Sequence, residues 1–324
     1  MDLNELKPTK VYDTYWEFAY KRQEIFFNRY NNMPSPWTND PILQKYKFTN
    51  VYRASDRVSQ YLIKNVIYSN KQYSPEDMLF RILLYKIFNK IETWEYLEKR
   101  LQDISYKSFN KQSYDILLDE LLKNGISIYS AAYIMPSGKS SFGYGKKHKN
   151  NLELLEFIMK DGLSIKIAKA KSMQEIYDHL KDYPMLGDFL SFQYLIDINY
   201  SELCDFSEMS FVVAGPGAKR GIRKCFENAD NYLEEDIIRL VCERQKQEFN
   251  ERGLKFRDLF GRQMQLIDCQ NLFCEIDKYA RVAYPEFCQV KGKRIKQQYK
   301  NRSLPQIQYY FPPKWEINQN MEKG

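Results

Sequence analysis

A chain of 324 residues, 44% of them hydrophobic, can bury a substantial core and suits two closely packed lobes better than one small domain. Its formal net charge of +7 is a mild basic excess, so the clustering of the cations says more about a partner than their total does. The sequence shows neither a secretory signal nor an apolar run of membrane length, which excludes a membrane-spanning protein and leads us to expect a cytoplasmic one.

Helix-start signals dominate the first half of the chain. Asp13 is placed to cap a helix that continues through Tyr30. Ser74 and Pro75, followed by two acids, form a strong start for a helix that ends near Phe88 and is apolar on more than one face. We expect this second helix to be buried.

The second half of the chain also reads as helical. A capping box opens a helix over 172–181, an amphipathic stretch predicts a long helix over 233–252, and a further helix is expected over 264–282. Strand signals are few, and the best are the short segments 127–135 and 211–214. The chain is therefore predicted to be mainly α-helical with few short strands.

The cysteines and histidines form no metal-binding pattern. The six cysteines include no C-x-x-C pair, and His148 and His179 lie far apart with no cysteine or histidine beside them. We therefore expect free thiols in a reducing compartment and no metal site.

Composition divides the chain into three parts. The loop 136–150 has three glycines, four lysines and no acid, and it marks a boundary between a lobe at 1–140 and a lobe at 141–290. A basic tail follows at 291–324. The cations at the start of this tail have no acid between them and are Lys291, Lys293, Arg294, Lys296, Lys300 and Arg302.

The segment Tyr183–Ser191 has the pattern of a turn between two helices. Gly187 would supply a positive φ, and the N–H groups of the turn would then face a DNA phosphate, as in a helix-hairpin-helix motif. An ordinary corner between two helices explains the same pattern equally well.

The string G-P-G-A-K-R-G at Gly215–Gly221 predicts a tight glycine turn that opens onto a basic segment. Exposed N–H groups at Gly215 and Gly217 together with nearby cations suit a phosphate. The four cations are Lys219, Arg220, Arg223 and Lys224. The alternative is a structural turn followed by a solvated basic face.

The helix near the carboxyl end carries polar residues on an otherwise apolar segment. Asn271, Glu275 and Lys278 share one face, and Asp277 shares a neighbouring face with Arg281. An exposed ion pair and a solvated acid would be the plain explanations, but polar groups on a packed helix indicate a site or a buried network. We favour a site.

Arg53 and Arg57 lie one turn apart beside Asp56. They could bind a phosphate or a base edge, or form a structural cluster with the aspartate. The sequence leaves these possibilities equal.

Six motifs, taken as an ordered set, resemble those of a known superfamily. They are W-T-x-D-P-I from Trp37, F-T-N-V-Y-R-A-x-D-R from Phe48, L-Y-K-I-F-N-K-I-E-T-W from Leu84, G-D-F-L-S-F-Q from Gly187, G-P-G-A-K-R-G from Gly215 and C-E-I-D-K-Y from Cys274. The superfamily is that of the 5-hydroxymethyluracil DNA kinases and the α-glutamyl/putrescinyl thymine pyrophosphorylases. The resemblance covers nearly the whole chain.

The resemblance implies a two-lobed helical fold related to helix-hairpin-helix DNA glycosylases, with the active-site helix in the lobe at 141–290. It also implies a modified base in DNA as substrate. Phage members act on modified pyrimidines already in DNA, and bacterial relatives include anti-phage glycosylases that remove modified bases from phage genomes. The implied partner is DNA with modified pyrimidines, and we leave the oligomeric state open.

One departure from ordinary glycosylases affects the expected chemistry. Their catalytic aspartate follows the hairpin glycine at a spacing that here reaches Ser207, with Asp205 and Glu208 beside it. The role is therefore expected to pass to Glu275 or Asp277, or the reaction differs.

Three functional hypotheses follow. The first is a DNA glycosylase without a cofactor that excises a flipped hydroxymethylated or glucosylated base, an activity that fits anti-phage defence. Its expected catalytic residues are Asp277, Glu275, Asn271 and Lys278. The second is a 5-hydroxymethyluracil DNA kinase that uses ATP and Mg²⁺, with Asp277 as base or magnesium ligand. The third is a non-catalytic binder of modified DNA. The residues expected on DNA or phosphate are Gly187, Gly215, Gly217, Lys219, Arg220, Arg223, Lys224, Arg53 and Arg57.

Overall fold

The computed structural model describes residues 5–287, 295, 297–299 and 307–323. It is mainly α-helical, as the sequence predicted. In chain order the helices are α1 (Lys10–Tyr30), α2 (Pro41–Lys45), α3 (Arg57–Tyr61), α4 (Pro75–Phe88), α5 (Ile91–Arg100), α6 (Lys111–Lys123), α7 (Lys139–Phe142), α8 (Lys147–Lys160), α9 (Leu163–Lys169), α10 (Met173–Lys181), α11 (Asp188–Asn199), α12 (Pro216–Cys225), α13 (Glu234–Glu243), α14 (Gln245–Glu251) and α15 (Leu266–Ala283).

The chain forms two compact units, and each combines segments that are distant in sequence. Unit 1 comprises Met1–Asp56, Phe211–Gln308 and Pro313–Gly324, and unit 2 comprises Arg57–Ser210 and Tyr309–Pro312. The predicted lobe boundary at 140 falls inside unit 2, so the functional division into lobes stays a prediction. The six cations from Lys291 to Arg302 that define the predicted basic tail lie outside the described residues.

Two helix starts show how local signals set the bounds. Ser74 caps α4 as expected, and its side chain accepts a hydrogen bond from the Asp77 N–H. For α1 the prediction chose the wrong cap, because Thr9 rather than Asp13 holds this position and accepts from the Val11 N–H. Asp13 instead lies in the first turn, where its negative charge suits the helix dipole.

The two predicted strands are absent. Within the described ranges, β-pairing is confined to isolated bridges such as Pro8 with Phe226. Segment 127–135 uses its backbone against helix ends instead: the Ser130 N–H donates to the Phe88 carbonyl, and Thr93 donates to the Ile128 carbonyl. Backbone groups at these positions are thus satisfied without a neighbouring strand.

One predicted helix and one predicted turn differ in detail from the structure. The long helix expected over 233–252 is divided at Arg244 into α13 and α14. The turn between α10 and α11 exists, but Gly187 has an extended φ of −85°, and Met185 carries the positive φ of 71°. The reason given for the glycine is therefore wrong.

Unit 2 is built around two helices that are buried on nearly all sides. In α4 every residue from Leu79 to Phe88 is buried, and in α11 the same holds from Leu190 to Asn199. These helices pack together, and a buried ion pair of 2.9 Å joins Lys86 of α4 to Asp197 of α11. The apolar stretch seen in the sequence thus forms the centre of this unit.

Unit 1 is built around α15, which packs against α1, α12 and α13. On α1, the Tyr15 ring lies 4.7 Å from that of Phe273, centroid to centroid. The start of α1 is also tied to the end of α12, because the Thr9 N–H donates to the Cys225 carbonyl. These contacts hold α15 on more than one side and fix the direction of its polar residues.

Helix α12 approaches α15 closely because two glycines face it. Gly217 and Gly221 lie one helical turn apart in α12, so the expected tight glycine turn is instead the first half of a helix. A Cβ on Gly221 would lie 1.9 Å from the Phe273 carbonyl oxygen, and one on Gly217 would lie 2.3 Å from the Cys274 Sγ. Glycine is therefore needed here for packing rather than for a turn.

We expect Gly221→Ala to destabilise the protein by roughly 1–3 kcal/mol, because the added methyl group overlaps backbone that cannot move aside cheaply. Chemical denaturation followed by circular dichroism would measure this. Gly145→Ala is the matched control, since a Cβ there meets nothing within 4 Å. Equal stability of the two variants would contradict the packing argument.

Candidate functional site

A buried carboxylate organises the polar face that α12 and α15 share. Asp277 is 1% exposed, and its Oδ2 accepts from Arg220 Nε at 3.1 Å and from an Arg281 terminal nitrogen at 2.6 Å. Its Oδ1 accepts from Lys224 Nζ at 2.8 Å. Three cations therefore surround one anion, and the cluster has an excess of positive charge.

The surroundings of Asp277 keep it ionised. Burial opposes the charge, but the hydrogen bonds and charges of Lys224 and Arg281 outweigh burial and lower the pKa of this carboxyl below its usual value. A carboxylate with a lowered pKa is a weak base, and both of its oxygens already accept hydrogen bonds. This geometry favours Asp277 as a counter-ion that positions cations.

The remaining cations of α12 lie at the surface. Lys219 pairs with Glu234 at 3.5 Å, and Arg223 pairs with Asp230 at 2.6 Å and with Glu234 at 3.3 Å. The side chains of Lys219, Arg220 and Arg223 are each a little under half exposed, whereas Lys224 is almost buried. Exposed pairs of this kind are worth little, so a phosphate can displace their carboxylates.

The start of α12 adds backbone donors beside these cations. The first N–H groups of a helix lack a carbonyl partner within it, but here Pro216 has no N–H and the Lys219 N–H donates to the Gly215 carbonyl. The donors left are the N–H groups of Gly217 and Ala218, and the cap residue Gly215 has no side chain to accept from them. The positive end of the helix dipole points the same way. Together with Lys219 and Arg220, this end of the helix is suited to a phosphate.

Glu275 lies on the neighbouring face of α15 and is tied to a loop. Its Oε2 accepts from the Thr49 N–H at 3.2 Å and from Lys278 Nζ at 2.6 Å, and the residue is 5% exposed. Asn271 is one helical turn earlier on the same face. Three of the predicted catalytic residues therefore share this face, and Asp277 lies on the next.

Two polar atoms near Glu275 are buried and have no hydrogen-bond partner. They are Asn271 Nδ2 and Thr49 Oγ1. Buried donors without a partner are rare in proteins and need an explanation. A ligand that accepts from an amide and a hydroxyl would satisfy both.

The loop that carries Thr49 is fixed from two directions. Arg22 of α1 donates to the Thr49 carbonyl at 3.0 Å, and the Asn50 N–H donates to Asp56 Oδ1 at 2.8 Å. Burial raises the pKa of Asp56 to about 6; the Asn50 N–H opposes this rise, and the nearby charge of Glu275 adds to it. No local pattern singled out Thr49 or Arg22, although Thr49 stands in the motif that begins at Phe48.

The two arginines of that motif lie in different places. Arg53 is 1% exposed in a single helical turn of unit 1, and its N–H donates to Asp268 Oδ1 at 2.9 Å. Burial raises the pKa of Asp56, and the charge of Arg53 offsets a part of that rise, so a structural arginine–aspartate cluster is favoured over a contact of Arg53 with DNA. Arg57 begins α3 in unit 2, and its role stays a prediction.

The predicted contact at Gly187 also remains untested. This exposed glycine caps α11, but the next residue is Asp188, which pairs with Lys181 at 2.7 Å. A carboxylate in the first turn competes with a phosphate for the helix end.

Comparison with known proteins identifies the chain's relatives. A family model described as "5-hmdU DNA kinase, helical domain" matches residues 9–289. The "5-hmdU DNA kinase" of Bacillus phage SP10 is 26% identical over 322 aligned residues, which cover 93% of this chain and 50% of the phage protein. The chain thus spans about half the length of this curated relative. No solved structure matches it.

These matches contradict the first functional hypothesis. Both name a kinase, which is a transferase, so the expectation of a glycosylase that hydrolyses a base–sugar bond is wrong. The expectation that no cofactor is needed belonged to that hypothesis, whereas the kinase alternative carried an expectation of ATP and Mg²⁺, which a kinase relative supports. The kinase alternative is the one that the matches support.

One structural finding bears on the membrane. Among the described helices, none combines the length and the apolar character that a bilayer-spanning segment requires.

Replacing Asp277 with Asn should destabilise the protein by about 3 kcal/mol at pH 7, because a nearly buried lysine loses its counter-charge. The lowered pKa sets the pH dependence. The contribution of the charge is fully present above about pH 4 and is lost as the pH falls through the folded-state pKa.

Urea titrations of both proteins between pH 7 and pH 3 would measure this difference. Asp230→Asn is the matched control, because Asp230 is a largely exposed partner of Arg223. A gap between Asp277→Asn and the parent protein that widens toward acid pH would contradict the assignment.

Proposed function

This chain belongs to the family of 5-hmdU DNA kinase helical domains, and on that premise we propose that it acts in the ATP-dependent phosphorylation of 5-hydroxymethyluracil in DNA. The observation that carries the proposal is the family match over residues 9–289. In the proposal, this chain binds the modified DNA and presents the hydroxymethyl base.

The DNA backbone is proposed to lie against the start of α12. Lys219 and Arg220 offer half-exposed cations there, and Arg223 offers a third in the last turn of the same helix. The N–H groups of Gly217 and Ala218 add directional donors. The ion pairs around this surface join five cations to three carboxylates, and a fourth carboxylate, Glu235, accepts from the Ala214 N–H, so the local balance is a single positive charge. Gly215 places no side chain over the start of the helix, and Gly217 allows α12 to pack closely against α15. Lys224 acts through its ion pair with Asp277.

Asp277 is proposed as a positioning residue in this arrangement. It holds Arg220 by Nε, which leaves the terminal nitrogens of the guanidinium directed elsewhere. An arginine held in this way can meet a phosphate without losing the freedom of its whole side chain.

The base is proposed to be read by the face that carries Asn271 and Glu275. Asn271 Nδ2 and Thr49 Oγ1 are the unpaired groups there, and an amide and a hydroxyl suit the carbonyl edge and the hydroxymethyl oxygen of the base. Lys278 neutralises Glu275, so the base meets a paired carboxylate rather than a bare charge.

ATP and Mg²⁺ would supply the phosphoryl group and neutralise its charge. The start of α12 fits a phosphate, but Glu275 and Asp277 are already held by cations and do not form a magnesium ligand set. The segment Gly138–Ser140 resembles the end of a phosphate loop, but Tyr133 stands where its upstream glycine is needed. We therefore derive no step through Mg²⁺ from these residues.

Incubation with γ-labelled ATP and Mg²⁺ should transfer label to DNA that contains 5-hydroxymethyluracil and not to the same duplex with thymine. Gel retention of both duplexes, measured in parallel, separates DNA binding from phosphoryl transfer. Selective retention without transfer would limit the role of this chain to DNA binding within the kinase reaction. Neither transfer nor selective retention would refute the proposal.

Two variants should separate backbone contacts from base recognition. Replacing both Lys219 and Arg220 with Ala should weaken binding to both duplexes alike and reduce the salt slope by about 2, because two phosphate contacts are lost. Asn271→Ala should weaken binding to DNA with the modified base by about 1–3 kcal/mol and leave binding to thymine DNA unchanged, so that the preference is lost.

Fluorescence anisotropy over a range of salt concentrations measures both effects. Lys160→Ala is the matched control, since Lys160 is an exposed helical cation of unit 2 that pairs with Glu156. An equal loss in this control, or a uniform loss in Asn271→Ala, would remove these assignments.

A further inference from the structure

Three side chains of unit 2 form a cluster that the proposed function does not use. Asp115 and Asp119 lie one turn apart on α6, and His148 lies in the first turn of α8. One ligand atom from each of the three lies within 4.8 Å of the other two. The expectation of no metal site rested on the lack of cysteine or histidine partners for His148, and these two carboxylates lie about thirty residues away in sequence.

The distances within the cluster are close to those between ligands of one metal ion, and the shorter of them is at present a hydrogen bond between His148 and Asp115. His148 Nε2 lies 2.8 Å from Asp115 Oδ1 and 3.3 Å from Asp119 Oδ1. Metal–nitrogen and metal–oxygen bonds of about 2.0–2.2 Å at angles of about 90–110° place neighbouring ligand atoms about 3–3.5 Å apart. A cation can therefore enter with small side-chain adjustments.

The framework of the cluster is already ordered. His148 is 1% exposed, and so its ring is held by packing rather than by solvent. Lys111 of α6 pairs with Glu153 and Glu156 of α8 at 2.6 and 2.7 Å, which fastens the two helices beside the cluster. Preorganised ligands lower the entropic cost of binding.

One side of the cluster is open. A cleft of about 410 Å³ is lined by Asp119 and His148 together with Lys123, Lys146 and Lys147. An ion at the cluster would thus have a route from solvent and room for further ligands. The lysines would favour an anionic ligand, such as a phosphate oxygen, on the open side.

We propose that Asp115, Asp119 and His148 bind one divalent cation of the Zn²⁺ type. One imidazole and two carboxylates suit Zn²⁺ or Mn²⁺, whereas Mg²⁺ and Ca²⁺ prefer all-oxygen sites. Lys149 pairs with Asp115 at 3.0 Å, and Lys146 pairs with Asp119. These lysines balance the carboxylates in the absence of metal and compete with it.

Metal binding to the full chain tests this directly. Isothermal titration with Zn²⁺ and Mn²⁺ should give one site per chain, and His148→Gln should weaken Zn²⁺ binding at least 100-fold. The chain's other histidine gives the matched control, His179→Gln, which should bind as the parent does. Lys149→Met should strengthen binding several-fold, because a competing cation is removed.

Two further measurements keep the result unambiguous. Cobalt substituted for zinc reports thiolate ligation by an intense near-ultraviolet band, and its absence excludes the cysteines as ligands. Asp119→Asn replaces His148→Gln if the latter fails to fold by circular dichroism. Unchanged binding in the folded ligand variants, an equal loss in His179→Gln, a thiolate band or no binding at all would each overturn the proposal.

Discussion

The polar face of unit 1 depends on how closely α12 lies against α15. Gly217 and Gly221 remove the side chains that would otherwise separate the two helices. At this spacing Lys224 and Arg220 of α12 reach the Asp277 carboxylate of α15. A larger residue at either glycine would push the helices apart and lengthen these ion pairs. The close packing of α12 on α15 is therefore also a condition for the charge cluster around Asp277.

The Asp277 cluster illustrates the difference between a charged residue in a site and a catalytic base. Ion pairs to three cations stabilise the charged carboxylate and outweigh the cost of burying it. The same contacts make it a poor proton acceptor and occupy its oxygens. Asp277 is therefore expected to act on a substrate through Arg220 and the neighbouring cations. Such an arrangement suits the binding of a nucleic-acid backbone better than the removal of a proton.

The family assignment changes the chemical requirements that the site has to meet. A glycosylase needs a carboxylate that faces the sugar, whereas a domain that works within a kinase has to hold DNA and present a hydroxyl group. In the proposed function, the Asn271 amide nitrogen and the Thr49 hydroxyl, which are buried without a partner, would serve the second need. Such a role for one domain is consistent with the match of this chain to half of a longer phage kinase.

The sequence by itself determined the helical class, the cap at Ser74 and the concentration of polar residues on α15, because these follow from local patterns of charge and hydrophobicity. The ordered motifs also identified the superfamily. Tertiary structure decided what the local pattern could not. It converted the expected glycine turn into a packed helix, buried Arg53, brought Thr49 to Glu275 across more than two hundred residues, and placed two aspartates of α6 beside His148. Each of these depends on contacts between segments distant in sequence, and no local periodicity records such contacts.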